Sequence, residues 1–249
     1  MADPIHQFAI TPITSEPLIV GGVDISFTNS ALWMVIAVVV ATSFFSLALQ
    51  RKSLVPGRMQ ATAEMFYGFI ANMIRENIGK KGQSYFPFIF TLFMVVLLGN
   101  LLGMIPGSFT YTSHIAVTGA LALVVFFICT IIGFVKHGMK FFTFFCPANV
   151  PIFLWPLIIP IEVLSYLIRP ITLSVRLFAN MMAGHLILKV FAGFTVGLLG
   201  LGGIGFAIGM LPMLFNAVLV AFEILIALLH AYVFTVLSCT YLKDSIDLH

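Results

Sequence analysis

Arg176 lies inside the apolar run Ile171-Thr-Leu-Ser-Val-Arg-Leu-Phe-Ala-Asn-Met-Met-Ala-Gly-His185, and no other residue from 171 to 188 carries a formal charge. Insertion scales put an arginine at a bilayer centre at roughly +2.5 to +3.5 kcal/mol, so a charge kept there points to function. Arg169 and Lys189 are about two and nearly four helical turns away, which weakens the reading of Arg176 as a snorkelling helix-end residue. At about 100° per residue, Asn180 stands one turn on and about 40° from Arg176. Glu162, fourteen residues earlier, falls roughly 40° off the same face if Pro170 leaves the register unrotated. His185 is about 180° away, so Arg176 and His185 address different neighbours. Glu223 and His230 lie within about 20° of one face, two turns apart, as a ladder with a gap at Ala227. Burial disfavours the charge of a carboxylate and a nearby imidazole favours it, so groups at such spacing suit a proton relay. His185 taken alone fits a packing or hydrogen-bonding role equally well. His6, His114, His137 and His249 fall in loops or at ends, where a solvated role is the simpler one.

The composition sets the class. Hydrophobic residues make up 61% and charged residues 8%, with a mean hydropathy of +1.12, whereas soluble domains carry about 25% charged residues. This pattern reads as a polytopic membrane protein. A net charge of +3, scattered along the chain, does not suggest nucleic acid. Cys129, Cys146 and Cys239 lie in or beside apolar segments without metal-ligand spacing and read as buried thiols. No oxygen-rich cation cage and no phosphate-cradling glycine loop occurs, so no cofactor, metal or bound ATP is expected. The start, Met1-Ala-Asp-Pro-Ile-His6, lacks a basic region followed by an apolar core, so no cleavable signal peptide is expected.

The elements that must position these residues follow from runs and charges. Residues 1–30, with Asp3, Glu16 and Asp24 but no lysine or arginine, form an outward-facing segment, and 31–249 a single helical membrane domain. Asn29 and Ser30 offer caps for a span over 31–49, closed by Arg51, Lys52 and Arg58. By the positive-inside rule that basic end is cytoplasmic. Over 59–78, Met65, Phe66, Phe69, Ile70, Met73, Ile74 and Ile78 recur at helical spacing while Glu64, Asn72, Arg75 and Glu76 take other faces. That is an amphipathic helix, lying in the interface plane or packed on its neighbours. Spans follow at 86–105 and 115–135, joined by the uncharged loop 106–114, outside, and followed by Lys136, His137 and Lys140, inside. Residues 141–150 make a Phe-rich cytoplasmic connection between Pro147, Pro151 and the preceding span.

Two longer apolar runs remain. Residues 152–194 would measure roughly 64 Å and 205–242 roughly 57 Å as single helices, about twice a bilayer core. Each is either a tight hairpin of two spans or one kinked helix crossing steeply, with Pro170 as turn or bend. Single crossings leave the glycine-rich connector (Gly197, Gly200, Gly202, Gly203) outside and Lys243 inside, in line with the charge bias.

The run Leu173-Ser-Val-Arg-Leu-Phe-Ala-Asn-Met-Met-Ala-Gly-His185, with Glu162 upstream and Glu223 downstream, resembles subunit a of the F-type ATP synthase. Asn100-Leu-Leu-Gly-Met-Ile-Pro106 and Ala231-Tyr-Val-Phe-Thr-Val-Leu237 extend the resemblance over most of the chain, closest to the alphaproteobacterial and mitochondrial branch. It implies an all-α polytopic fold of about five transmembrane helices plus the amphipathic one, the last two long and steeply tilted. It implies a proton-translocating stator subunit, not catalytic alone, with two half-channels against a ring of c subunits. Arg176 would face the ring carboxylates, with Asn180 a polar partner. His185 and Glu223 would line the outer half-channel and Glu162 the cytoplasmic outlet. Many relatives carry glutamine where His230 stands, and some an acid where Gly103 stands, so these two positions depart from the pattern. Further implied partners are b-type peripheral-stalk subunits, the other synthase subunits and the bilayer. The implied location is a bacterial inner membrane with the N-terminus outside and the C-terminus cytoplasmic, or alternatively the mitochondrial inner membrane.

Two other classes fit fewer residues. A haem-binding respiratory subunit would need His114, His185 and His230 as axial ligands, yet no facing pair is evident from their spacing. A stand-alone transporter would use Arg176 to hold an anion, but no internal repeat between the halves supports it.

Overall fold

Peptide groups in hydrocarbon have no water to bond, so a chain this apolar must satisfy them within its own helices. The computed structural model describes residues 8–13, 19–20, 23–24, 26–50, 53–105, 107–145 and 151–247. Within them the chain forms α1 (Asn29–Leu49), α2 (Arg58–Asn77), α3 (Phe86–Gly103), α4 (Ile115–His137), α5 (Trp155–Leu199) and α6 (Ile204–Ile246). Tight 3-10 segments cover Lys80–Tyr85, Tyr111–Ser113, Gly138–Phe145 and Ile152–Leu154. Two short strands, β1 (Ile19–Val20) and β2 (Val23–Asp24), pair antiparallel near the N-terminus, Ile19 opposite Asp24. Five helical stretches are long and apolar enough to cross a membrane; α2 is the other helix. The expectations placed on Asp3, His6, Glu16, Arg51, Lys52, Cys146, Pro147 and His249 lie outside the described residues.

The two long runs are single helices. α5 continues for 45 residues with Pro160 and Pro170 inside it, and α6 for 43 with Pro212 inside. Each would extend about 65 Å, more than twice the hydrocarbon thickness. Each proline removes one donor from the ladder, and the remaining turns carry the helix past it. At the start of α1 the cap falls one residue before the expected pair: Thr28 Oγ1 accepts from the Ala31 N–H at 3.3 Å. The Asn29 carboxamide instead accepts from the N–H groups of Ser30 and Thr11.

The chain divides into two compact units, which are described separately. The first comprises Met1–Leu47, Met94–His114 and Phe178–Ala231, and the second Ala48–Phe93, Ile115–Leu177 and Tyr232–His249. Of the twelve lysines and arginines in the sequence only Lys189 falls in the first unit.

In the second unit α2 is packed through the C-terminal part of its stripe, where Ile70, Met73, Ile74 and Ile78 are buried. Phe69 lies with its ring centroid 5.7 Å from that of Phe93 and 5.9 Å from that of Tyr232. Glu64, Asn72, Arg75 and Glu76 are exposed, as the spacing predicts, and so are the stripe residues Met65 and Phe69. Farther along, Arg169 of α5 pairs with Asp244 of α6 at 2.9 Å. Its guanidinium also stands 5.2 to 5.5 Å from the ring centroids of Phe144, Tyr166 and Tyr241, within cation-π range. The Tyr166 hydroxyl bonds Thr130 at 2.7 Å, and Thr118 bonds Ser174 at 3.2 Å. Cys129 and Cys239 are free, buried thiols.

Two outcomes follow from this packing. Arg169→Ala should destabilise the detergent-solubilised protein by up to about 3 kcal/mol, because it strands the mostly buried Asp244 carboxylate; an unchanged thermal midpoint would show that the rings alone hold this corner. Single cysteines placed along α2 should react with a water-soluble maleimide at 64, 72, 75 and 76 and resist it at 70, 73 and 74, whereas uniform protection would make α2 a true span.

Candidate functional site

In the first unit His185 of α5 and Glu223 and His230 of α6 lie close together. His185 (8% exposed) and Glu223 (4%) are both buried. Nδ1 of His185 stands 3.2 Å from Oε1 of Glu223, in ion-pair range but without hydrogen-bond alignment, since neither carboxylate oxygen has a hydrogen-bond partner among the described residues. The other ring nitrogen, Nε2, is 2.9 Å from Thr110 Oγ1. Thr110 belongs to the loop after α3, and its hydroxyl donates to the Gly103 carbonyl at 3.0 Å.

Gly184 makes the approach of the two helices possible. A Cβ at this position would stand 2.7 Å from Glu223 Oε1, so any side chain would push the carboxyl away from the α5 backbone. A glycine within a helix costs about 1 kcal/mol relative to alanine, and here its smallness is used in full.

Two turns along α6, His230 is held by both nitrogens. Nδ1 lies 2.7 Å from the Ile226 carbonyl, and Nε2 contacts the Asn180 Nδ2 amide of α5. A carbonyl can only accept, so Nδ1 carries the hydrogen and Nε2 of the neutral ring accepts from Asn180. The gap at Ala227 is filled from α3, because Asn100, fully buried, donates Nδ2 to the Ala227 carbonyl at 3.2 Å. A cavity of about 270 Å³ opens among Asn180, Gly184, Leu219, Glu223, Ile226 and His230. It joins the two ionisable rungs of the sequence ladder through one space.

Arg176 and Glu162 belong to the second unit. Arg176 is exposed on α5, and among the described residues no hydrogen bond or ion pair engages its guanidinium. It shares this exposure with Thr172 and Val175, while Leu173, Ser174 and Leu177 are buried. Glu162 is half-buried. Arg176 is exposed, whereas His185 is buried.

Three participants escaped the sequence reading. Thr110 is one hydroxyl in a polar loop and carries no periodic signal. Asn100 lay within a motif noted only for resemblance. Gly184 offered a usable cue, a helix-weakening residue directly before an intramembrane histidine.

Chemically, the arrangement offers a buried carboxyl against an imidazole, a cavity reaching a second imidazole, and a permanent cation with no hydrogen-bond or ion-pair partner among the described residues. The sequence profile of the family described as "ATP synthase A chain" matches residues 31–243. Full-length relatives agree. The chain is 53% identical to ATP synthase subunit a of Rhodospirillum rubrum over 249 residues, all of both chains. It is 52% identical to that of Parvibaculum lavamentivorans over 244 residues, 98% of this chain and 93% of the relative. For Agrobacterium fabrum the identity is 52% over 98% of this chain and 97% of the relative. A polytopic helical chain with these polar groups, matched across nearly its whole length, belongs to the ATP synthase subunit a family.

Proposed function

We propose that this membrane subunit of an ATP synthase is the proton-translocating stator of a rotary F-type enzyme. The observation that carries the reading is the exposed Arg176 guanidinium, engaged by no hydrogen bond or ion pair among the described residues, on the stretch of α5 from 171 to 188 that carries no other formal charge. Left against lipid it would cost roughly 2.5 to 3.5 kcal/mol or more, so its complement comes from another polypeptide. A carboxylate on each subunit of a c ring meets that need in turn.

A guanidinium stays protonated at every accessible pH and favours the ionised form of a carboxyl brought against it. Arg176 thereby promotes proton release from the ring on one side. The same fixed charge repels a proton that would hop directly between the two half-channels, so transfer requires rotation. Each charge crossing 100 mV supplies about 2.3 kcal/mol, and several must be combined for one ATP.

Glu223 and His185 take protons from the outer half-channel, with the 270 Å³ cavity beside Glu223 giving room for several waters. His230 extends this path only when Asn180 turns its carboxamide, since its Nε2 is otherwise occupied. Glu162 serves the cytoplasmic outlet. The basic residues Arg58, Lys80, Lys81, Lys136, Lys140 and Lys243 face the cytoplasm of a bacterial cell, with the N-terminus outside. Both long helices then cross the bilayer once, steeply tilted, along the ring. The b-type subunits of the peripheral stalk hold the chain against rotation.

Arg176→Ala should abolish proton-driven ATP synthesis in reconstituted complexes that still assemble; normal synthesis by that variant would sink the reading. Glu223→Gln and His185→Ala should each slow proton flux from the outer side by at least about tenfold, the low end of what a positioned proton carrier contributes. Unchanged flux in both would remove the pair from the path.

A further inference from the structure

Gly103 ends α3, and among the described residues no later backbone N–H closes on its carbonyl. Thr110 supplies the missing donor, giving its hydroxyl proton to that carbonyl at 3.0 Å. A hydroxyl has a single proton and two lone pairs. With the proton committed, the 2.9 Å contact to His185 Nε2 is one in which the imidazole donates. The reverse assignment would leave a buried carbonyl without a donor, the costlier arrangement. Nε2 therefore carries hydrogen in every charge state, and in the neutral ring Nδ1 presents a bare lone pair. Nδ1 is the atom that stands 3.2 Å from Glu223.

We propose that Thr110 is a positioning residue that fixes His185 as its Nε2–H tautomer, so that His185 Nδ1 and Glu223 share one exchangeable proton. The inference rests on reading His185 and Glu223 as the outer proton path. With the proton on Glu223, a rotation of the carboxyl across the 3.2 Å gap turns its O–H onto the Nδ1 lone pair. On transfer the O–H bond breaks and an Nδ1–H bond forms, leaving a carboxylate against an imidazolium with total charge unchanged. Without Thr110 the neutral ring is free to carry its hydrogen on Nδ1 instead, and that nitrogen then has no lone pair with which to take a proton from Glu223.

The backbone is pared away at both ends of this row. A Cβ on Gly103 would stand 2.5 Å from Thr110 Oγ1, and one on Gly184 would stand 2.7 Å from Glu223 Oε1. Thr110 is itself buried, 7% exposed, so water does not readily replace its hydroxyl.

The test uses the whole synthase reconstituted in liposomes, with assembly checked for each variant and proton flux from the outer side as readout. Thr110→Val, close to isosteric, should reduce flux about three- to tenfold, the loss of one net hydrogen bond. Thr110→Ser should recover most of that loss. In a His185→Ala background Thr110→Val should add nothing, because a residue acting only through His185 is silent once His185 is gone. Parent-like flux in Thr110→Val, a serine variant as slow as the valine one, or an additive loss in the double variant would each overturn the inference while leaving the proton path intact. Parent-like flux in His185→Ala alone would instead remove the path, and the inference with it.

Discussion

A polar atom surrounded by hydrocarbon must find a partner inside the protein, and the interior of this chain is organised by that requirement. Asn100 meets the Ala227 carbonyl, Thr110 meets Gly103 and His185, and His230 is bound at both nitrogens. Arg169 is enclosed by a carboxylate and three aromatic rings. Two groups on which the proposed function rests stand outside that pattern. Among the described residues neither oxygen of the buried Glu223 is hydrogen-bonded, and no hydrogen bond or ion pair engages Arg176. In the proposed function one keeps its oxygens open for a proton and the other its charge open for a passing subunit.

The comparison of Arg169 with Arg176 shows how the same residue type serves opposite ends. Seven residues separate them on α5, yet Arg169 is about four-fifths buried and fully engaged, whereas Arg176 is exposed. A guanidinium held by Asp244 lends its charge to the packing of α5 on the C-terminal end of α6. A guanidinium without such a holder is left, in the proposed function, to act on whatever comes alongside.

Much of this was legible in the sequence, and the reasons differ by element. Runs bounded by charges gave α1, α3 and α4 nearly to the residue, and the stripe from Met65 to Ile78 gave α2, because hydrophobic period and charge placement act locally. The continuity of α5 and α6 was not legible. A proline inside an apolar run fits a turn and a bend equally, and only tertiary packing decides. Ionisable residues in apolar surroundings nominated Arg176, His185, Glu223 and His230 by their cost alone. Their pairing was a different matter: His185 meets Glu223 across 38 positions, and Arg169 meets Asp244 across 75, distances over which no periodicity speaks. Thr110 was invisible because a hydroxyl in a loop acquires meaning only from what it touches.

The bond from Thr110 to the Gly103 carbonyl has a further consequence for how protons travel. A chain of hydroxyls and water conducts when each member can accept a proton on one side and release another on the opposite side. A peptide carbonyl has no proton of its own to release, so the row Glu223, His185, Thr110 ends in an insulator. On the proposed path, protons reaching His185 leave by the nitrogen through which they came, and the contact proposed to orient the ring also seals the loop beyond Thr110 against leakage.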